Sequence, residues 1–263
     1  MDLQLSNKIA LVTGSTAGIG NAIATSLARE GAAVIVNGRS AKAVAAAVEE
    51  MKAATSGKVS GFAGDLSDAA VAAEVLVKHP TVDILINNLG IFEVKSFEEI
   101  RDEDWRRFFD VNVLSGARLS RLYLPGMRKR NWGRIIFISS ESGLQIPAEM
   151  IHYGMTKAAQ IAVARGLAEI TAGTGITVNS VLPGPTRSRG VGDFVASMAE
   201  KAGKSAQAVE SEFFKTARPT SLLKRFATPE EVAAMVTYVA SPLSAATNGS
   251  ALRVDGGVVK SAF

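Results

Sequence analysis

Tyr153 and Lys157 stand four residues apart in the stretch IHYGMTKAAQ, residues 151–160. If that stretch is helical, the two share one face, about 6 Å apart along the axis. A phenol beside an ammonium is a proton-transfer pair. Free tyrosine titrates at about 10, poorly matched to neutral pH. A nearby positive charge favours the phenolate and lowers that value. Tyr-x-x-x-Lys is a short pattern that also describes an ordinary surface pair. Its meaning depends on the elements that position it.

Those elements alternate. Seven short, nearly all-apolar runs read as strands: KIALVTG (8–14), AAVIVNG (32–38), KVSGFAGD (58–65), VDILINN (82–88), RIIFISS (134–140), ITVNSVL (176–182) and SALRVDG (250–256). Such runs suit strands buried on both faces. Between them, helices are expected over 18–30, 41–55, 68–78, 103–130, 153–172 and 229–240. Ser67 is the expected N-cap of the third helix. Thr228 is that of the last, with Pro229 in its first turn. Strands alternating with helices imply βαβ units. The fold expected is α/β: a doubly wound parallel sheet of about seven strands with helices on both faces. No linker or repeat divides residues 1–263, so one domain is expected.

The first strand runs into TGSTAGIG (13–20), a glycine turn that opens the first helix. Such a turn lets backbone approach a pyrophosphate, which then meets the helix N-terminus. The spacing is Gly-x-x-x-Gly-x-Gly, not the commoner Gly-x-Gly-x-x-Gly. Further along stand GDL (64–66), NNLG (87–90), DVNV (110–113), ISS (138–140) and PGP (183–185), and Ser140 precedes Tyr153 by thirteen residues. In this order and spacing, the set resembles the short-chain dehydrogenase/reductase family over almost the whole chain. Leu89 departs from that family's pattern, where Ala is usual.

The resemblance implies a Rossmann-type fold and a metal-free conversion between a ketone and a secondary alcohol. It implies that Tyr153 exchanges the proton, that Lys157 assists it and holds the nicotinamide ribose, and that Ser140 bonds the substrate carbonyl. Asn112 would hold a water that relays protons to Lys157. Cofactor contacts are implied at Gly14, Ser15, Thr16, Gly18, Ile19 and Gly20 in the turn. Others are implied at Asp65, Leu66, Asn88, Gly90, Pro183 and Gly184, with Thr186 or Ser188 offering a hydroxyl to the carboxamide. Asn37 and Arg39 follow the second strand, where an acid would select NAD and an arginine accommodates a 2′-phosphate. An Asn with Arg39 beside it points to NADP, with NAD as the alternative. The family also implies a homotetramer.

Composition narrows the rest. Hydrophobic residues make up 47% and charged residues 21% of 263, as in globular chains. There is no cysteine and there are only two histidines, so neither a disulfide, a cysteine nucleophile nor a zinc site is expected. MDLQLSNK lacks the features of a signal peptide, and no apolar run reaches the ~18 residues of a membrane span. A cytoplasmic enzyme without membrane contact is expected. The net charge is +4, and residues 186–226 carry that surplus, with eight basic residues against four acidic ones. No basic helix with interleaved aromatics suggests nucleic acid. The segment reads instead as a substrate cover, broken at Gly190, Gly192 and Gly203, with Phe194, Met198, Phe213 and Phe214 beneath. A cationic cover could raise the local concentration of an anionic substrate.

Overall fold

All seven apolar runs become strands, most of them shorter than the run, with β5 starting one residue earlier and β6 ending one residue later than expected: β1 (Ile9–Val12), β2 (Ala33–Gly38), β3 (Val59–Ala63), β4 (Ile84–Asn87), β5 (Gly133–Ile138), β6 (Ile176–Pro183) and β7 (Ala251–Val254). They form one sheet in the order β3-β2-β1-β4-β5-β6-β7, with every pairing parallel. The computed structural model describes residues 1–188, 191–192, 199 and 203–262. Arg189, Gly190, Phe194 and Met198 of the expected cover lie outside the described residues.

The chain winds outward from β1 to β3, then returns to place β4 on the other side of β1. The sheet order therefore reverses between β1 and β4, and open α/β sheets bind ligands at such a point, beyond the strands' carboxyl ends. The glycine turn leaves β1 there, and Asn88 to Gly90 leave β4 beside it. One face of the sheet packs α1 (Gly18–Arg29), α2 (Ala41–Ala54) and α8 (Pro229–Ala240) through Ile23, Leu27, Met51 and Val236. The other packs α3 (Ala69–Lys78), α5 (Ser115–Arg130) and α6 (Ile151–Ile170) through Val75, Tyr123, Met127 and Ala168. Alternate strand residues serve the two cores, which is why the runs read as continuously apolar.

Two expectations change. The helix expected over 103–130 is broken: α4 (Asp102–Phe109) ends in a π turn, Asp110–Leu114, before α5 begins. There Ser115 N–H reaches back five residues to the Asp110 carbonyl. Such wide turns are common at functional sites, and this one carries Asn112. The cap of α3 is Asp68, whose carboxylate accepts from Ala70 and Val71 N–H. Ser67 is held away from that task because Asp65 Oδ1 accepts both its N–H (3.0 Å) and its hydroxyl (2.6 Å). Thr228 caps α8 as expected, reinforced by Glu231 reaching back to Thr228 N–H.

The described part of the cover includes α7 (Ala206–Thr216) and a cluster of three rings, Phe213, Phe214 and Phe226. Among the described residues no helix is long and apolar enough to cross a membrane.

Candidate active site

The glycine turn is a cradle built of backbone. Gly18 has φ +59°, where a side chain is strained. At Gly20, a Cβ would sit 2.4 Å from Asn88 Nδ2 and 2.5 Å from the Gly14 carbonyl oxygen. Helix α1 starts at Gly18 with no side-chain cap from Ala17 and no acid in its first turn. Its first N–H groups are thus left for an anion. A dinucleotide pyrophosphate fits this chemistry.

Several residues expected to touch the cofactor instead hold the cradle in shape. Asn37 is buried. Its Oδ1 accepts from Gly14 N–H (3.2 Å), and its Nδ2 donates to the Phe62 and Gly64 carbonyls (3.1 Å each). Both amide hydrogens are thus spent inside the protein and the side chain is 1% exposed, which turns it toward the cradle. The Ser15 hydroxyl donates to the Val12 carbonyl and accepts from Asn37 N–H. Asn88 Nδ2 donates to the Thr13 and Gly14 carbonyls. Leu66 is wholly buried in the core. Ser15, Asn37 and Leu66 are buried, and the Asn88 amide hydrogens are both taken by the turn. Ile19 packs on the first core and Leu89 on the second, so Leu89 fills space beside the turn.

Arg39 is exposed, one residue beyond Gly38, which packs so close to Thr16 that a Cβ would lie 2.6 Å from its methyl group. Asp65 is half-buried, with one oxygen turned to Ser67. At the end of β6, Pro183 is buried, and a Cβ on Gly184 would meet the Asp255 carbonyl at 2.6 Å. Thr186 donates its hydroxyl to the Gly184 carbonyl (2.9 Å). Ser188 Cβ lies 3.4 Å from where a Gly18 Cβ would be, so Ser188 is the hydroxyl residue beside the turn.

The residues expected to handle the proton converge next door. Lys157 Nζ donates to the Ile138 carbonyl at the end of β5 (2.9 Å) and to Gln160 Oε1 (3.2 Å). It stands 5.5 Å from the Tyr153 ring centre, and Phe92 packs edge-on against that ring. A Cβ on Gly90 would be 3.5 Å from Asn112 Oδ1 and 3.6 Å from Lys157 Nζ, which brings the β4 loop to the same point. The Asn112 side chain is tied to Ile91 backbone (2.7 and 3.0 Å) and to the Thr156 hydroxyl (2.9 Å). Its carbonyl accepts from Gln160 Nε2 at 2.5 Å. Gln160 therefore bridges Asn112 and Lys157, where the resemblance places a water. Sequence reasoning passed over Gln160, although its spacing of three from Lys157 puts both on one helix face.

On the other side of Tyr153 lies a buried carboxylate. Glu141 Oε2 accepts from the Ser140 hydroxyl (2.5 Å) and from Ser142 N–H (2.9 Å), and Oε1 accepts from Arg218 Nε (3.1 Å). Arg218 follows α7 in the cover and also reaches Glu149 (3.4 Å). Arg187 pairs with Glu210, and Arg225 with Glu231. These three arginines are engaged in ion pairs, which weakens the expectation that the cover steers anions. His152 is packed against Phe108 and Trp105, away from Tyr153 chemistry.

Burial governs the titrations. It pushes the Tyr153 phenol upward, aided by the Glu141 charge and opposed by a hydrogen bond with Ser140 and by Arg218. It pushes Lys157 down to about 7. The sequence suggests that Lys157 lowers Tyr153; in this structure Lys157 is not among the groups that shift the phenol, and desolvation is the largest cause for both. The sign of the stability effect follows. Between about 7 and the ordinary lysine value of 10.5, the unfolded chain holds a proton at Lys157 that the folded chain lacks. Stability from this group is therefore lowest below pH 7 and rises with pH across that window, by at most about 1.4 kcal/mol per pH unit. In urea unfolding at pH 6.5 to 10, the wild-type chain should gain stability relative to Lys157→Met as pH rises. Parallel curves for the two would refute the assignment.

Comparison with known proteins agrees with this geometry. Residues 8–208 match the short chain dehydrogenase family. The chain is 48% identical to the uncharacterized oxidoreductase YvrD of Bacillus subtilis, covering 99% of this chain and all of that one. It is 34% identical to D-beta-hydroxybutyrate dehydrogenase of Cupriavidus necator, over 97% and 99% of the two chains. Its fold superimposes on L-sorbose reductase of Gluconobacter frateurii, complexed with NADPH and L-sorbose, with a TM-score of 0.93 at 30% identity over 99% and 100% of the two chains. With its cradle at the switch point and Ser140, Tyr153 and Lys157 gathered beside it, the chain belongs to the short-chain dehydrogenase/reductase family and is an NAD(P)-dependent oxidoreductase.

Proposed function

We propose that this chain reduces a ketone to a secondary alcohol, and catalyses the reverse, with NADP(H) as cofactor. The observation that carries the reading is the convergence of Ser140, Tyr153, Lys157 and Asn112 beyond the ends of β4 and β5, next to the glycine cradle. A dinucleotide sensor would need the cradle but not this proton-handling group. When bound, the nicotinamide supplies the hydride. Backbone of the turn, with Gly90, Gly184 and Ser188 around it, would hold the cofactor, and Arg39 would pair with its 2′-phosphate.

The chain's own part is to hold the carbonyl and deliver a proton. Ser140 bonds the carbonyl oxygen. Tyr153 gives its phenolic proton to that oxygen as negative charge develops on it. Burial and Glu141 both favour the protonated phenol, which suits donation at neutral pH. Lys157, protonated on arrival of a negatively charged partner, stabilises the phenolate left behind. Gln160 and Asn112 fix its ammonium in place. Residues 186–226 act as the substrate cover, joined through Arg218 to the loop that bears Ser140. The relatives' printed substrates, a hydroxy acid and a ketose, differ too much to choose one for this chain.

The subunits are proposed to assemble as a tetramer. Phe109 and Leu114 at the α4–α5 junction and Tyr238 on α8 are large apolar side chains left 37–42% exposed, on helices that could pair across two-fold axes. The cytoplasm, with its supply of NADP(H), is the proposed location.

Three outcomes are expected. Tyr153→Phe should retain NADPH binding, measured by fluorescence titration, and lose at least about a hundredfold in kcat, the usual scale of a lost general acid; retention of most of the rate would disprove its role. The ratio of kcat/KM for NADPH over NADH should exceed one and fall in Arg39→Ala. A native preference for NADH, or an Arg39→Ala variant with undiminished NADPH use, would overturn the cofactor choice. Light scattering at micromolar concentration should give a mass near four chains, and a monomer mass would end the tetramer reading.

A further inference from the structure

Ser140 has one hydroxyl proton, and in this structure it goes to Glu141 (2.5 Å). The Ser140 oxygen accepts from Ser142 N–H (3.1 Å). Holding a substrate carbonyl, the task assigned to Ser140 above, requires that same proton. The count then matters, because Glu141 is 4% exposed and has no water-facing alternative. When Ser140 turns to the carbonyl, Glu141 Oε2 loses its shortest partner and keeps only Ser142 N–H. Arg218 remains on the other oxygen at 3.1 Å.

Substrates differ in how they meet this shortage. A plain ketone brings no donor, so the buried carboxylate is left under-bonded, a costly state for a charged group. An acid with a carboxylate beside its carbonyl brings a second negative charge to a place where one is already buried. A hydroxyl on the carbon beside the carbonyl closes the count: it donates to Glu141 while Ser140 donates to the carbonyl oxygen. We propose that Glu141 is a specificity-determining residue that selects α-hydroxyketones, and vicinal diols in the reverse direction, over plain ketones and α-keto acids. Reduction would form one C–H bond at the carbonyl carbon from the hydride that the reduced nicotinamide gives up as it is oxidised, and one O–H bond on the carbonyl oxygen as the Tyr153 O–H breaks; the carbonyl π bond is lost and the adjacent hydroxyl is unchanged. Arg218 has a positioning role: it lies against Glu141 at 12% exposure and holds its charge without reaching the reacting atoms.

This inference rests on Ser140 and Tyr153 handling the carbonyl as proposed above, and its test separates the two. Initial rates are measured at saturating NADPH or NADH on three compounds of one shape: 1-hydroxybutan-2-one, pentan-3-one and 2-oxobutanoate. They place a hydroxyl, a methyl group or a carboxylate oxygen at the same position. The wild-type enzyme should favour the hydroxyketone over pentan-3-one by about tenfold or more in kcat/KM, the scale of one hydrogen bond to a charged group, and should use 2-oxobutanoate least. In Glu141→Met that ratio should fall to about threefold or less, and Glu141→Gln, whose amide oxygen still accepts, should recover part of it. The wild-type ratios decide the matter even where a variant does not fold. Equal use of hydroxyketone and pentan-3-one overturns this inference and leaves carbonyl reduction standing, and so does a preference that survives in Glu141→Met. If none of the three is reduced, both readings fall.

Discussion

A lysine has to keep its amine buried in this enzyme with no carboxylate bonded to it among the described residues, and much of the surrounding structure answers that constraint. Lys157 is 5% exposed, and burial alone accounts for its lowered pKa. The compensation is dipolar. The Ile138 carbonyl at the end of β5 and the Gln160 amide both accept from Nζ. Ser139 donates to the Lys157 carbonyl (2.8 Å), pinning α6 to the strand end. Gln160 needs an acceptor of its own, and the π turn supplies it as the Asn112 carbonyl. A regular helix through residues 110–114 would present that carbonyl differently. Dipoles stabilise an ammonium less firmly than a carboxylate does, so Lys157 stays able to change charge near neutral pH.

Glu141 is buried just as deeply but handled in the opposite way. Arg218 supplies a full countercharge (3.1 Å), and two further donors complete the carboxylate's shell. Tyr153 has the Lys157 amine 5.5 Å from its ring centre and feels the Glu141 charge. The anion and the dry surroundings both disfavour phenolate. The ground state is therefore a protonated acid next to a lysine able to become charged, and that combination suits a group that must give up a proton only when negative charge appears on the substrate.

The sequence shows some of this and hides the rest, for physical reasons. Parallel strands are buried on both faces, so runs such as RIIFISS declare themselves by composition alone, and parallel pairing follows from the alternation with helices. The cradle is legible at Gly14, Gly18 and Gly20, because only glycine suits those backbone conformations and close approaches. The π turn is not legible: one extra residue per turn leaves no mark on the composition of DVNVL. The cap at Asp68 is lost to Ser67 on sequence rules, because Asp65 competes for the serine only once the turn is folded. Asn37 reads as a ribose contact from its place at the end of β2, yet the buried carbonyls of Phe62 and Gly64 claim its amide. The Glu141–Arg218 pair spans 77 residues, and no local pattern announces it.

That pair also explains the cover's charge. Counted along the chain, residues 186–226 hold a surplus of cations. Counted in space, Arg218 and Arg225 of that segment face Glu141, Glu149 and Glu231, which lie outside it. The surplus is in part the cover's means of attachment. The pairs are unequal. Arg225 and Glu231 are 47% and 42% exposed, and solvent screening leaves such a pair little energy. Arg218 and Glu141 are 12% and 5% exposed, and separating them would strand a charge in a dry site, the costly way to break an ion pair. The cover is thus fastened most firmly at the contact that also sets the Ser140 proton. If this segment covers the substrate as proposed above, lifting it at Arg218 would also change the hydrogen bonds of Ser140 through Glu141.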